Sequence, residues 1–388
     1  MLARGGNVRG FNDRLEALRG IAALWVALGH SFIWLSIDTE SAIWAKKVFD
    51  IHGAQAMLAR SVIAVFSGVA AVDIFFVLSG FVLCRSLVNQ SPSVPNYFGF
   101  VVKRLFRIFP AFWISLIIVF LYLTLLFPGY AAFSEATRWF NGWYTQPITA
   151  QQIIGDATMQ PPALNPNAWT LSVELLASLM LPVVVLVIGA RGIWSSVAAF
   201  AVTFVLAWHY EMSPWSIWHY LYMFVLGVIV SMKAQPDFAK RYSKVLVPGS
   251  LAMILAASTF FPLAHTIPVD TLVSVGTALL IWCIDAGSEH SLLKILDSNA
   301  ARFLGRISYS FYLLHFIVLY AVANAVLHHA PQAWIARWSL PIMASACVIS
   351  IALALPLSAI VFMCVEKPLT LAGRRLASRR WLPTSAGL

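Results

Sequence analysis

The sequence predicts an all-α fold, a polytopic membrane helix bundle of about ten transmembrane helices with both termini on the inner side. Three observations carry that prediction. The 388 residues are 60% hydrophobic and only 11% charged, with a mean hydropathy of +0.80; soluble domains carry about 25% charged residues. Apolar stretches of about 20 residues, the length a helix needs to cross a bilayer, recur along the chain without a visible internal repeat. Finally, Lys and Arg are sorted: with the N-terminus inside, 21 of the 26 fall on inner segments and 5 on outer ones, the bias that orients membrane proteins.

The expected spans are 15–37, 63–87, 109–127, 168–188, 192–209, 214–232, 245–262, 268–285, 304–327 and 338–364. Residues 11–369 read as one membrane domain, and 370–388 as a short basic tail (GRRLASRR) suited to anionic membrane lipids. The inner-side basic residues, Arg4, Arg191, Arg379 and Arg380 among them, account for the net charge of +10 without a nucleic-acid partner. The first apolar run continues past Leu35, too long for a signal-peptide core. Cys84, Cys283, Cys347 and Cys364 lie in or at the ends of apolar segments with no CxxC pair, so they read as small buried hydrophobes and no metal site is expected.

The first span holds RLEALRGIAALWVALGHSFIWL, with Arg19 near its inner end and His30 eleven residues on. Eleven residues are about three helical turns and roughly 16 Å, so both side chains share one face. Ionisable groups inside a spanning helix are costly and mark function by default. Asp73, in AAVDIFFVLSGFVL of the second span, needs a partner or a proton and is a candidate to orient His30; Ser79 and Gly80 beside it permit close helix packing. In KRLFRIFP, Arg104 and Arg107 fall on one face if the segment is helical, with Pro110 suited to the first turn of the third span. Joined by Arg19 they would form a cationic pocket fit for phosphates.

Glu174, in NAWTLSVELL, enters the fourth span from outside. Counted by helical rise, Glu174 lies roughly 9 Å and His30 roughly 10 Å below the outer boundary, so the pair is expected to meet as carboxylate and imidazole. In GRISYSFYLLHF of the ninth span, Ser308 and Tyr312 are four apart, beside Tyr309, and His315 is placed to line the same cavity. Glu366, in VEKP, reads as the inner stop of the last span. Two long outer loops, 38–62 and 128–167, are expected; the second is dense in Trp, Tyr, Asn and Pro (WFNGWYTQP, then QPPALNPNAW ending at Trp169), a composition that suits an interfacial cap or a sugar-binding face.

Taken together and in order, Arg19–ten residues–His30, DIFFVLSGF, KRLFRIFP, WTLSVE, SYSFYLLH and VEKP resemble the acyltransferase-3 family of integral membrane acyltransferases. The resemblance runs from about Phe11 to Leu369. It implies transfer of an acyl group, usually acetyl, from cytosolic acyl-CoA to a hydroxyl of a glycan or glycolipid acceptor, in a bacterial inner membrane. His30 would be the catalytic base or an acyl carrier, with Glu174 and then Asp73 as its orienting groups. Arg19, Arg104 and Arg107 would hold acetyl-CoA or another acyl-CoA by its phosphates. Trp169, Tyr309, Tyr312 and His315 would face substrate, with no metal cofactor. Leu175, Leu176 and Ala177 depart from the family pattern, which often continues with a second acidic residue and an aromatic pair. The rival class is a proton-coupled transporter or flippase, which also uses intramembrane Asp, Glu and His; the missing repeat and the cationic cluster favour the enzyme.

Overall fold

The computed structural model describes residues 8–38, 40–88, 91–160, 164–190, 192–213 and 216–378. Arg4, Arg191, Arg379 and Arg380, counted above in the inner-side charge, lie outside them. The described residues form sixteen α-helices. In chain order these are α1 (Val8–Ser31), α2 (Ala54–Val65), α3 (Gly68–Val88), α4 (Val94–Leu125), α5 (Arg138–Asn141), α6 (Ala150–Ala157), α7 (Trp169–Ala190) and α8 (Gly192–His209). There follow α9 (Ile217–Lys233), α10 (Pro236–Arg241), α11 (Ser243–Phe260), α12 (Ile267–Asp285), α13 (Asn299–His329), α14 (Gln332–Arg337), α15 (Ser339–Val361) and α16 (Lys367–Ser378). Extended pairing among the described residues is limited to the isolated bridges Leu35–Ala136 and Ile37–Glu40.

Every expected span falls on a helix. Among the described residues eight stretches are long and apolar enough to cross a membrane, including the continuous run of α2 and α3 and that of α15 and α16. The two expected spans outside that set are α1, which carries Arg14, Glu16 and Arg19, and α9, which has 17 residues. The charges that disqualify α1 by composition are those that make it interesting.

The bundle centres on α1 packed against α13, with α3 against α1, α9 and α12. Glycine permits both close approaches. A Cβ on Gly20 would strike the backbone of Gly305, and one on Gly305 would strike the Glu16 carbonyl at 2.5 Å. Gly80 and Gly227 do the same for α3 and α9, each abutting the other helix's backbone. In lipid, where apolar side chains gain little by leaving their solvent, such backbone proximity drives helix association.

Two of the boundaries that differ from expectation bear on the site. Helix α4 starts at Val94, capped by Ser93 and with Pro95 in its first turn, so Pro110 is internal and the arginines lie mid-helix. Glu366 does not end a helix: one π-helical turn, Phe362–Glu366, leads directly into α16. Its carboxylate is buried and accepts a 2.7 Å hydrogen bond from Ser310 Oγ on α13. Residues 370–378 of the basic tail segment therefore belong to an amphipathic helix, α16, that packs against α4, where Gly373 leaves room for Phe106. At the opposite end the segment 133–144 folds over the end of α1. Thr137 donates to the Ile33 carbonyl at 2.7 Å, and Ser36 N to the Glu135 carbonyl at 2.8 Å.

Candidate active site

The contact at Gly20 and Gly305 brings Arg19 onto α13. Its Nε donates to Ser308 Oγ at 2.8 Å, and Nη2 reaches the Gly305 carbonyl at 3.3 Å. Arg104 and Arg107 approach from α4, one helical turn apart. The three arginines line a single cavity of about 450 Å³, together with Lys103 and, from α16, Thr370 and Arg374. Glu16 and Glu174 are the acidic residues of the lining. Arg104 Nη2 binds Glu174 Oε1 at 2.6 Å, while its buried Nε has no hydrogen-bond partner among the described residues. Five cations against two carboxylates leave the lining of this open volume net positive. The guanidiniums can grip phosphate oxygens through paired N–H groups.

Phe75, Phe76, Tyr309 and Tyr312 add aromatic walls to this cavity. Tyr309 donates to the Ile108 carbonyl at 2.7 Å, and the Tyr312 hydroxyl lies 2.9 Å from Thr170 Oγ1. Past Tyr312, with ring centroids 5.9 Å apart, stands His315. Its Nε2 lies 3.2 Å from His30 Nδ1.

These contacts assign the tautomers. His315 Nδ1 faces the Phe311 carbonyl at 3.3 Å. A carbonyl only accepts, so His315 Nδ1 carries the hydrogen and Nε2 offers a lone pair. His30 Nδ1 must then be the donor, which leaves the lone pair of His30 on Nε2. The Trp139 ring, from α5, covers His30 at 5.2 Å, and Phe316 approaches it edge-on at 6.2 Å. The same face of α1 thus presents Arg19 and His30 to one neighbour, α13, with a ready-made basic nitrogen at one end and a cationic chamber at the other.

Other expected pairings are absent. Glu174 meets Arg104 instead of His30. The depth count placed Glu174 near the outer boundary because it assumed that the fourth span begins there. In the structure residues 164–168, ahead of α7, are already buried, with Asn165 and Asn167 bonded to the Leu313 and Tyr312 carbonyls. The helix therefore starts inside the protein, and Glu174 lies deeper than helical rise alone suggested. Asp73 likewise does not orient His30: it faces His265 and Asp270 at the start of α12. Trp169 stands outside the cavity lining, with its ring against Phe76, Tyr220 and His265. Sequence reasoning missed Lys103, Arg374 and Trp139. Arg374 was counted as a lipid-facing tail charge; only the amphipathic spacing of α16 signals its inward face.

The cationic chamber reaches Tyr312, one ring short of buried His315 and half-buried His30, inside a bundle of membrane-length helices. The acyltransferase domain family model matches residues 12–360, and the chain belongs to that acyltransferase-3 family. It is an integral membrane protein of a family of acyl-transferring enzymes. A putative membrane-bound transacylase, BcsY, of Komagataeibacter xylinus is 29% identical over 285 residues, 67% of this chain and 68% of the relative. Nodulation protein 10 of Rhizobium leguminosarum bv. viciae is 24% identical over 96% of each chain. The acyltransferase MdmB of Streptomyces mycarofaciens is 25% identical over 79% of this chain and 82% of its own. No solved structure matches this chain.

Proposed function

We propose that the protein carries an acetyl or similar short acyl group from cytosolic acyl-CoA, through the bundle, to a hydroxyl of a sugar or glycolipid on the outer side of a bacterial inner membrane. One observation carries this reading: a single cavity runs from the cations Arg19, Arg104 and Arg107 to Tyr312, one ring away from the His315–His30 pair. CoA phosphates are excluded from hydrocarbon and stay with the cations. An extended pantetheine arm spans roughly the 16 Å that separates Arg19 from His30 at helical rise. Glu174 fixes the Arg104 guanidinium.

At the outer end His30 Nε2 takes the proton of the acceptor hydroxyl. The oxygen attacks the thioester carbon, the C–S bond breaks, and the thiolate leaves as CoA after regaining a proton. The same nitrogen would serve if the acyl group rested first on His30. His315 holds the ring in the required tautomer throughout. The names of two relatives, a putative transacylase and an acyltransferase, support this class of reaction.

The reading places the arginines in the cytosol, so both termini are inside. Reporter fusions after Gly129 are expected outside and fusions after Gln235 inside; reversal at either site overturns the orientation. The activity is tested with purified protein in detergent, acetyl-CoA and glycans from a strain lacking the protein. Thiol release that depends on acceptor, with one acetyl added to the glycan by mass, is expected. Thiol release that stays at the no-enzyme level would sink the donor assignment and favour a transporter.

A further inference from the structure

A second polar cluster, separate from the cavity, sits where the starts of α3, α9 and α12 meet. Asp73 is fully buried, and neither of its carboxyl oxygens has a hydrogen-bond partner among the described residues. Its Oδ1 lies 3.6 Å from His265 Nδ1, which is itself 3.1 Å from Asp270 Oδ1. One donor atom each from Asp73, His265 and Asp270 converge within 4.8 Å of one another. The other oxygen of Asp270 lies 2.8 Å from Nε2 of His219, and both of those side chains are fully buried. No Lys or Arg pairs with either aspartate among the described residues.

Two buried carboxylates with no Lys or Arg partner among the described residues cost several kcal/mol per ion unless a proton, a protonated histidine or a metal neutralises them. His265 Nδ1 is within hydrogen-bond distance of Asp270, and the same spacing also fits the donor set of a metal. Four-coordinate zinc has bonds of about 2.0–2.2 Å, which put neighbouring ligand atoms about 3.4 Å apart. The observed nitrogen–oxygen edges of 3.1 and 3.6 Å straddle that value. A donor set of two carboxylate oxygens and one imidazole suits Zn²⁺ or Mn²⁺ better than Ca²⁺, which takes six to eight oxygens. His219 occupies the place of the outer hydrogen-bond partner that orients a ligating carboxylate.

We propose that Asp73, His265 and Asp270 bind one divalent ion of the zinc or manganese type, with His219 orienting Asp270. The ion clasps the starts of α3 and α12 to the turn that carries His265. That turn packs against Trp169, the first residue of α7, so the clasp steadies the helix that carries Glu174. The proposal is independent of the acyl donor.

The test uses the full chain purified in detergent without chelator, with metal counted by mass spectrometry. About one zinc or manganese per chain is expected. Chelation should lower Tm by about 3 °C, and either ion should restore it. Asp73→Asn and His265→Ala should lose the ion and the chelator sensitivity, whereas His52→Ala, at an exposed histidine, should keep both. If those variants fail to fold, titration of chelated wild type with each ion still decides. A wild type that holds no stoichiometric metal and takes up neither ion at micromolar concentration would overturn the site, since two carboxyls sharing a proton behave that way. Metal retained equally in Asp73→Asn and His265→Ala would place it elsewhere and overturn the assignment.

Discussion

The two ends of the α1–α13 contact are built on opposite principles. At the Arg19 end the cavity is wide and lined by five cations, and Arg104 keeps a buried donor unused. At the His30 end two imidazoles and the rings of Trp139, Phe316 and Tyr312 pack together, and each Nδ1 has an assigned role. The first end can hold a large, highly charged molecule through many separable contacts. The second can move one proton at one nitrogen. Binding and chemistry are therefore expected to respond to different substitutions, and each variant below tries to break that division.

The largest effect is expected for His30→Ala, which removes the nitrogen assigned the acceptor's proton. Loss of general-base catalysis costs about 10²–10⁴-fold in rate, and kcat with acetyl-CoA and a glycan acceptor measures it. Wild-type turnover in folded, purified variant would end the catalytic claim.

A smaller loss, about 10–100-fold in kcat, is expected for His315→Phe, which keeps a ring but removes the acceptor that orients His30. Substitution by Gln restores an acceptor and should recover part of the rate, with an unchanged KM for donor. If both variants fall equally, His315 acts by filling space and the tautomer argument fails.

The smallest effect concerns the Arg14–Asp297 pair. Arg14 grips Asp297 through Nε at 2.7 Å and Nη2 at 2.6 Å, joining α1 to the turn ahead of α13. The hydrogen bonds from Arg14 hold the Asp297 carboxyl below the usual carboxylate range. A group whose folded pKa is depressed adds stability above its unfolded pKa, about 3.9, and loses it as pH falls through the folded value. Melting curves should therefore show wild type and Asp297→Asn converging below about pH 4 and separating slightly at neutral pH. A gap that widens on acidification would contradict the assigned shift.

Helix-level information was legible because it rests on local patterns. Arg19 and His30 do share a face, and Arg104 and Arg107 share the cavity wall, as three- and four-residue spacings dictate. The pairing of helices was not legible in the same way. Glu174 was matched to His30 by counting down from an assumed boundary, and the buried turn at 164–168 invalidated that count. His315 was visible as a cavity candidate, but its pairing with His30 depends on how α1 and α13 align. That alignment is set by the backbone contact at Gly20 and Gly305, which one sequence does not announce. Asp73 needed a partner by the cost of an intramembrane carboxyl; His265 and Asp270 come from segments about 190 residues further along the chain, where no spacing rule reaches.

The division between the two ends is tested most directly by calorimetric titration of a non-hydrolysable acetyl-CoA analogue into wild type, Arg19→Lys and His30→Ala. Arg19 spreads its donors over Ser308 and the chamber, which a compact ammonium cannot copy. Arg19→Lys should weaken binding by about tenfold, the scale of one charge-assisted hydrogen bond. His30→Ala should bind within about twofold of wild type, since on this account the phosphates stay with the arginines. Wild-type affinity in Arg19→Lys together with lost binding in His30→Ala would contradict the account.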